Sequence, residues 1–209
     1  MTQSTGLDFQ LATKKLVEKD PVLATVIKQI GPCRLTKGES GFVSLVNAIV
    51  SQQLSGYAYR AIRTRLEALF DGGKIDAAGL SKLPDEDLRS TGLSVRKVEY
   101  IKGLAAKVNS GEIDFKQIEV MGDEAVIETL TSVRGIGRWT VEMYLMFSLN
   151  RPDVFPIDDL GIRTAMKELY GLESDDFQSR ARGIALNWRP YRSIASWYLY
   201  AYINELRRK

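Results

Sequence analysis

Apolar residues in this chain recur at helical spacing in segment after segment, and no stretch alternates over the length of a strand. Such a pattern builds amphipathic helices and leaves nothing from which to assemble a sheet. Breakers and caps delimit the segments. Asp8 is placed to cap a helix ending near Lys19, and Asp20-Pro21 marks the next start, with Val22, Leu23, Val26, Ile27 and Ile30 following before Gly31-Pro32. Residues 41–54 keep Phe42, Leu45, Val46, Ile49 and Val50 on one side, and residues 55–70 run on to the break at Asp71-Gly72-Gly73. Short helices are expected at 76–82 and 84–90, then an amphipathic one from Ser94 whose inner face is Val95, Val98, Ile101, Leu104, Ala105 and Val108. Its outer stripe of Arg96, Lys97, Lys102 and Lys107 reads as solvated surface. Asp123 is expected to cap a helix, and further starts are marked near Arg138, at Asp158, at Ser174 and at Pro190, with ends near Leu149, Tyr170, Ala185 and Arg207. The sum is an all-α chain of roughly ten helices with short connections.

Composition narrows the chemistry more than the fold. The chain has 209 residues, enough for one large domain or two lobes, and 44% hydrophobic content supports a core. A net charge of only +3 means that any basic face is local. There is no histidine, so acid–base work falls to Asp, Glu, Lys and Tyr. The single cysteine, Cys33, rules out an internal disulfide and a four-cysteine metal or iron–sulfur site. No signal-peptide core or run of ~18 apolar residues is present, which points to an intracellular protein with no membrane attachment.

One stretch carries the functional signal. Residues 131–164 open on the turn Gly135-Ile136-Gly137 between two helical patterns and close on Phe155-Pro156-Ile157-Asp158-Asp159 leading into another helix. Glycines allow a backbone to approach a bulky anion closely. Amides at the following helix N-terminus attract phosphate. A carboxylate pair some twenty residues on, at a helix start, adds a reactive group to a phosphate grip. Taken singly, the turn is an interhelical connection and the aspartates are a cap and a first-turn acid. In combination they suggest a protein that holds a nucleic-acid backbone and does chemistry beside it.

Four segments in order, AIVSQQLS, SVRGIGRWT, VFPIDDLGIR and NWRPYRSIASWYLY, resemble the DNA-3-methyladenine glycosylases of the AlkA and MAG type, within the helix-hairpin-helix base-excision superfamily. The likeness runs from about Asp20 onward, with no counterpart of the N-terminal β-domain of longer AlkA-like enzymes. It implies two helical lobes with a DNA-binding cleft between them. Residues 36–147 would form the lobe with the wedge loop and the helix-hairpin-helix; residues 1–35 and 148–209 would form the lobe with the catalytic aspartate and the aromatic C-terminal helix.

The same resemblance distributes roles. Asp159 matches the catalytic aspartate, which leaves Asp158 as the expected cap. Breaking an N-glycosidic bond develops positive charge on the sugar, and a nearby carboxylate stabilises that charge. Trp139 stands where strand-cutting members carry a Schiff-base lysine, so the chain is expected to release the base and leave an abasic site. Trp139 and Tyr200 would line the base pocket, with Met143 and Phe147 as further candidates; Met143 replaces a tyrosine of a related enzyme. Gln53 and Leu54 match the wedge that fills the space of an extruded base, with Ser55 beside them in the minor groove. Taken alone, that loop reads as a helix connection with Ser55 as cap. In the hairpin, Arg134, Gly135, Gly137 and Arg138 would meet the DNA backbone, Arg134 standing in place of a common proline. The carbonyls of Thr131, Val133 and Ile136 would hold a monovalent cation, Na+ or K+, and no other cofactor is required. The expected activity is monofunctional hydrolysis of alkylated purines of the 3-methyladenine and 7-methylguanine type by base flipping. The alternatives are a noncatalytic binder of damaged DNA and a glycosylase for deaminated bases such as hypoxanthine or uracil. The expected partner is double-stranded DNA containing alkylated bases, met by a monomer that is cytoplasmic in a bacterium or nuclear in a eukaryote.

Overall fold

The computed structural model describes residues 8–39, 41–173 and 175–208. Among them lie thirteen α-helices and a 3-10 turn, and no strand. The chain divides into two compact units: residues Met1–Lys37 with Leu145–Lys209, and residues Gly38–Tyr144.

The first unit is built from α1 (Phe9–Lys19), α2 (Pro21–Ile30), α11 (Leu160–Tyr170), α12 (Phe177–Leu186) and α13 (Arg192–Leu206). α13 packs against α11 and α2, and α2 against α1. Its core joins Leu16, Leu23, Met166, Phe177, Trp188 and Tyr198, all essentially inaccessible. Trp188 sits edge-on to Phe155 at 5.5 Å and tilted against Tyr170 at 6.2 Å. Beneath these rings lies a buried carboxylate. Asp20 accepts from the Leu23 amide at 2.9 Å, from Trp188 Nε1 at 2.7 Å and from the Tyr170 hydroxyl at 2.9 Å. One residue thus caps α2 and satisfies two distant polar tips. Burial, reinforced by the Asp20 charge, pushes the Tyr170 phenol well above its usual range.

The second unit holds α3 (Gly41–Ser51), α4 (Gly56–Glu67), the 3-10 turn (Asp71–Gly73), α5 (Ala77–Lys82), α6 (Asp85–Ser90), α7 (Val95–Asn109), α8 (Phe115–Val120) and α9 (Asp123–Thr131). α10 (Arg138–Phe147) begins here. α7 packs against α3, α5 and α6. Leu45, Ile49, Leu80, Leu88, Leu104 and Val141 are fully buried in its core. Caps account for most starts: Asp8, Ser55, Asp76, Ser94 and Asp114 each accept an amide hydrogen from the first turn of the helix they open.

The structure departs from the sequence reading in several places. α8 was not expected, because six residues with one buried apolar side chain, Ile118, leave no periodic signal. Gly122, not Asp123, caps α9, and Asp123 is instead an acid in the first turn. α3 ends at Ser51, where its stop was expected, but α10 ends at Phe147, a little before the expected Leu149. Val95 is 53% exposed, since it is the first residue of α7 and has no preceding turn to cover it. Pro190 follows a cis peptide, and the last helix starts only at Arg192. The expected cap Ser174 lies outside the described residues; Asp176 stands before α12.

Replacing Asp20 with alanine strands three buried donors, and should cost about 3 kcal/mol of stability. A fall in the denaturant midpoint without a change in slope would register it.

Candidate functional site

The hairpin is shaped by two buried plugs and one obligatory glycine. α9 ends at Thr131, and Val133 and Ile136 turn inward, with the Ile136 amide donating to the Val133 carbonyl at 3.1 Å. Gly135 lies between them with φ +91°, and a Cβ there would fall 2.2 Å from the Tyr100 ring. The hairpin tip is therefore pressed onto α7, and only glycine permits it. Gly137 differs: a Cβ at that position would meet nothing within 4 Å, so the backbone there is bare toward solvent. Arg134 is exposed, its guanidinium 5.9 Å from the Tyr100 ring centroid and 3.6 Å from Glu99. Arg138, the first residue of α10, pairs with Glu124 at 2.8 Å and Glu142 at 3.1 Å. Thr131 ends α9, and of the Val133 and Ile136 carbonyls beyond it, that of Val133 already accepts from the Ile136 amide.

The wedge segment is a four-residue link from α3 to α4, held from below. Gln53 adopts φ +56°, unusual for a residue with a side chain. Gln53 and Leu54 are exposed, and Ser55 caps α4 by accepting from the Ala58 amide at 3.2 Å. Gln52 points the other way, its Nε2 donating to the Gly135 carbonyl at 2.9 Å. Lys97 donates to the carbonyls of Val50 at 2.8 Å and Gln52 at 2.7 Å. Partial burial depresses the Lys97 ammonium below its usual pKa. Lys97 is therefore not simply part of a solvated stripe. The sequence reading missed Gln52, Lys97 and Tyr100 as members of this site. A lysine in a polar stripe and a glutamine in a connection carry no local mark of what they reach across the fold.

In the first unit, the segment before α11 is tied to the start of α13. Arg192 binds Asp153 through Nε at 2.8 Å and Nη2 at 3.0 Å. The Ser193 hydroxyl donates to the Arg151 carbonyl at 2.6 Å and accepts from the Val154 amide at 2.9 Å. Val154, Phe155, Pro156 and Ile157 are buried behind this lock, and Asp159 follows. Asp159 itself caps α11, Oδ1 accepting from the Ile162 amide at 3.0 Å. The expected cap, Asp158, is exposed and accepts from Gln178 at 2.7 Å. The backbone turn after Ile157 points it away from the helix end. Across Gly161 from Asp159 lies Tyr200: a Cβ on Gly161 would sit 3.1 Å from Asp159 Oδ1 and 3.3 Å from two Tyr200 ring carbons. The Tyr200 ring tilts against Phe147 at 6.5 Å. Asp159, Tyr200 and Phe147 are thus brought together within one unit. Trp139, 46% exposed, and Met143, one turn later on α10, belong to the other unit.

A family model described as "HhH-GPD superfamily base excision DNA repair protein" matches residues 46–190. The chain belongs to this superfamily. The matched span takes in the wedge segment, the hairpin and Asp159, and stops short of Tyr200. Among its relatives is DNA-3-methyladenine glycosylase 1 of Schizosaccharomyces pombe, 36% identical over 84% of this chain and 79% of that protein. A crystal structure of DNA-3-methyladenine glycosidase from Bacillus halodurans superposes with a TM-score of 0.86 at 37% identity, covering 95% of this chain and 91% of that one. A Schizosaccharomyces pombe 3-methyladenine DNA glycosylase in complex with abasic DNA gives 0.79 at 34% identity, over 90% and 94% of the two chains. The all-helical architecture is that of the superfamily.

The contact between hairpin and α7 yields a direct test. Gly135→Ala adds a steric clash to an unfavourable φ and should destabilise the protein by about 2 kcal/mol or more. Thermal unfolding would measure it, and Tyr100→Ala in the same chain should restore part of the loss.

Proposed function

We propose that this protein is a monofunctional DNA glycosylase that hydrolyses the N-glycosidic bond of alkylated purines, of the 3-methyladenine and 7-methylguanine type, and leaves an abasic site. The observation that carries the reading is the Asp159 carboxylate fixed at the α11 N-terminus beside the Tyr200 ring, in a chain of a base-excision family. Relatives that bear the name DNA-3-methyladenine glycosylase support the substrate class.

The chemistry follows from charge. A purine alkylated on a ring nitrogen is already cationic and departs without a strong acid, which suits a chain with no histidine. As the C1′–N bond breaks, its electron pair neutralises the base and the sugar becomes oxocarbenium-like. Asp159 stabilises that charge and orients the water that adds to C1′, whose proton leaves through the carboxylate to solvent. The positive end of α11 favours negative charge at this spot. The electron-rich Tyr200 ring, with Phe147 tilted against it, receives the flipped cationic base by stacking and cation–π attraction. Gln53 and Leu54 occupy the gap it leaves, and Ser55 contacts the minor groove. The backbone amides of Gly135, Gly137 and Arg138 grip phosphate, with Arg134 adding charge nearby. The Thr131, Val133 and Ile136 carbonyls would hold a Na+ or K+, which would supply positive charge attractive to phosphate at the hairpin. With tryptophan at 139 no imine forms there, and the protein acts alone on double-stranded DNA.

Asparagine caps helices as well as aspartate does, so Asp159→Asn removes the charge while keeping the α11 cap. It should lower single-turnover base release from methylated duplex by about a hundredfold or more with little change in melting temperature. Chromatography of the freed bases measures the rate and identifies the lesion; unchanged release would remove Asp159 from the chemistry, and release of hypoxanthine or uracil alone would change the substrate. Wild-type protein should yield free base from end-labelled duplex with no cut strand until alkali is added, whereas strand scission by the protein itself would contradict the monofunctional assignment.

A further inference from the structure

We infer that Gln52 and Lys97 are positioning residues that join the wedge loop to the hairpin, so that the base step entered by Leu54 is set by the phosphate held at Gly137. The inference rests on the wedge reading of Gln53 and Leu54 given above.

The geometry is a closed chain of contacts within one unit. Lys97 draws in the Val50 carbonyl from the last turn of α3, whose oxygens have no intrahelical partner, and the Gln52 carbonyl just beyond it. An ammonium at a helix C-terminus is also favoured by the helix dipole. The Gln52 side chain then crosses to the Gly135 carbonyl at 2.9 Å. Gly135 rests on Tyr100, one turn along α7 from Lys97. The wedge loop and the hairpin are thus both fastened to the same turn of α7, and to each other. Gln53 stands at φ +56° directly after the fastened residue. A left-handed residue persists only where its surroundings overdetermine it. Here they do: the preceding carbonyl is held by Lys97, the Leu54 amide donates to the Ser51 carbonyl at 3.2 Å, and Ser55 caps the next helix. The function of the strain is direction, because it turns Gln53 and Leu54 outward as a stiff pair while Gln52 stays behind as the anchor. Neither Gln52 nor Lys97 is required to touch DNA for this. They act through the residues they hold.

The test separates fastening from contact. Extrusion is followed by the fluorescence of 2-aminopurine placed beside an abasic site in a duplex, together with kcat and KM on methylated duplex and affinity for undamaged duplex across a salt series. Gln52→Ala should slow extrusion and kcat about tenfold while leaving undamaged-duplex affinity and its salt slope near wild type, since the hairpin amides remain. Leu54→Ala should also slow extrusion in the wild-type background. In the Gln52→Ala background the same change should cost at least about threefold less, because a loosened wedge has less to lose. Lys97→Arg, which still donates twice, should keep the coupling, and Lys97→Met should lose it; Gln52→Ala leaves the Lys97 bonds intact and so remains a test if Lys97→Met melts early. Independent, multiplying effects of Gln52→Ala and Leu54→Ala would overturn the inference and leave the wedge standing. No effect of Leu54→Ala on extrusion would overturn the wedge reading, and this inference with it.

Discussion

A helix leaves about four amide hydrogens and four carbonyl oxygens at its ends without partners, and a fold made of short helices consists largely of such ends. Satisfying them is the constraint on which this structure depends. Asp8, Asp20, Ser55, Asp76, Ser94 and Asp114 do so at helix starts, each with its own side-chain oxygen. At one C-terminus, that of α3, the partner comes from another helix, in the form of Lys97. Asp20 shows how far a cap can be extended, since the same carboxylate also takes up the polar tips of Trp188 and Tyr170 from the far end of the chain.

The functional features proposed for the protein are variations on these same ends. Asp159 caps α11 with one oxygen, and the cap bond holds the carboxylate in position beside Tyr200. The hairpin presents the amides that open α10, over a glycine, Gly137, that leaves the backbone bare. The wedge is the break between α3 and α4, stiffened by the groups that compensate for that break. The proposed catalytic carboxylate, phosphate grip and wedge therefore need no additional architecture, being helix termini themselves.

The two units solve the problem of rigidity differently. In the first, a bidentate Arg192–Asp153 pair and the two bonds of the Ser193 hydroxyl clamp the segment that delivers Asp159. Bidentate pairing adds geometric specificity as well as energy, which suits the catalytic role proposed for Asp159. In the second, the clamps are neutral amide contacts and a lysine on carbonyls, backed by the contact of Gly135 with Tyr100.

Helix existence, the all-α class and most starts were legible along the chain, because amphipathic period and capping residues are local signals; α8 was missed because six residues hold too little of either. The motif order pointed to the superfamily, and the residues Asp159, Gly135 and Gln53 could be singled out by position within it. Which aspartate caps could not be read, because Asp158 and Asp159 are chemically the same and only the backbone turn after Ile157 tells them apart. Nor could the two hairpin glycines be separated: Gly135 is required by a ring some 35 positions earlier, and Gly137 by nothing within the protein. By itself, then, the sequence determined most of the helical segments, many of their starts and which residues are candidates for chemistry. The tertiary structure alone decided which of those ends are satisfied by distant side chains, since Lys97 reaching Val50, Gln52 reaching Gly135 and Tyr200 meeting Asp159 are contacts between positions that share no local pattern.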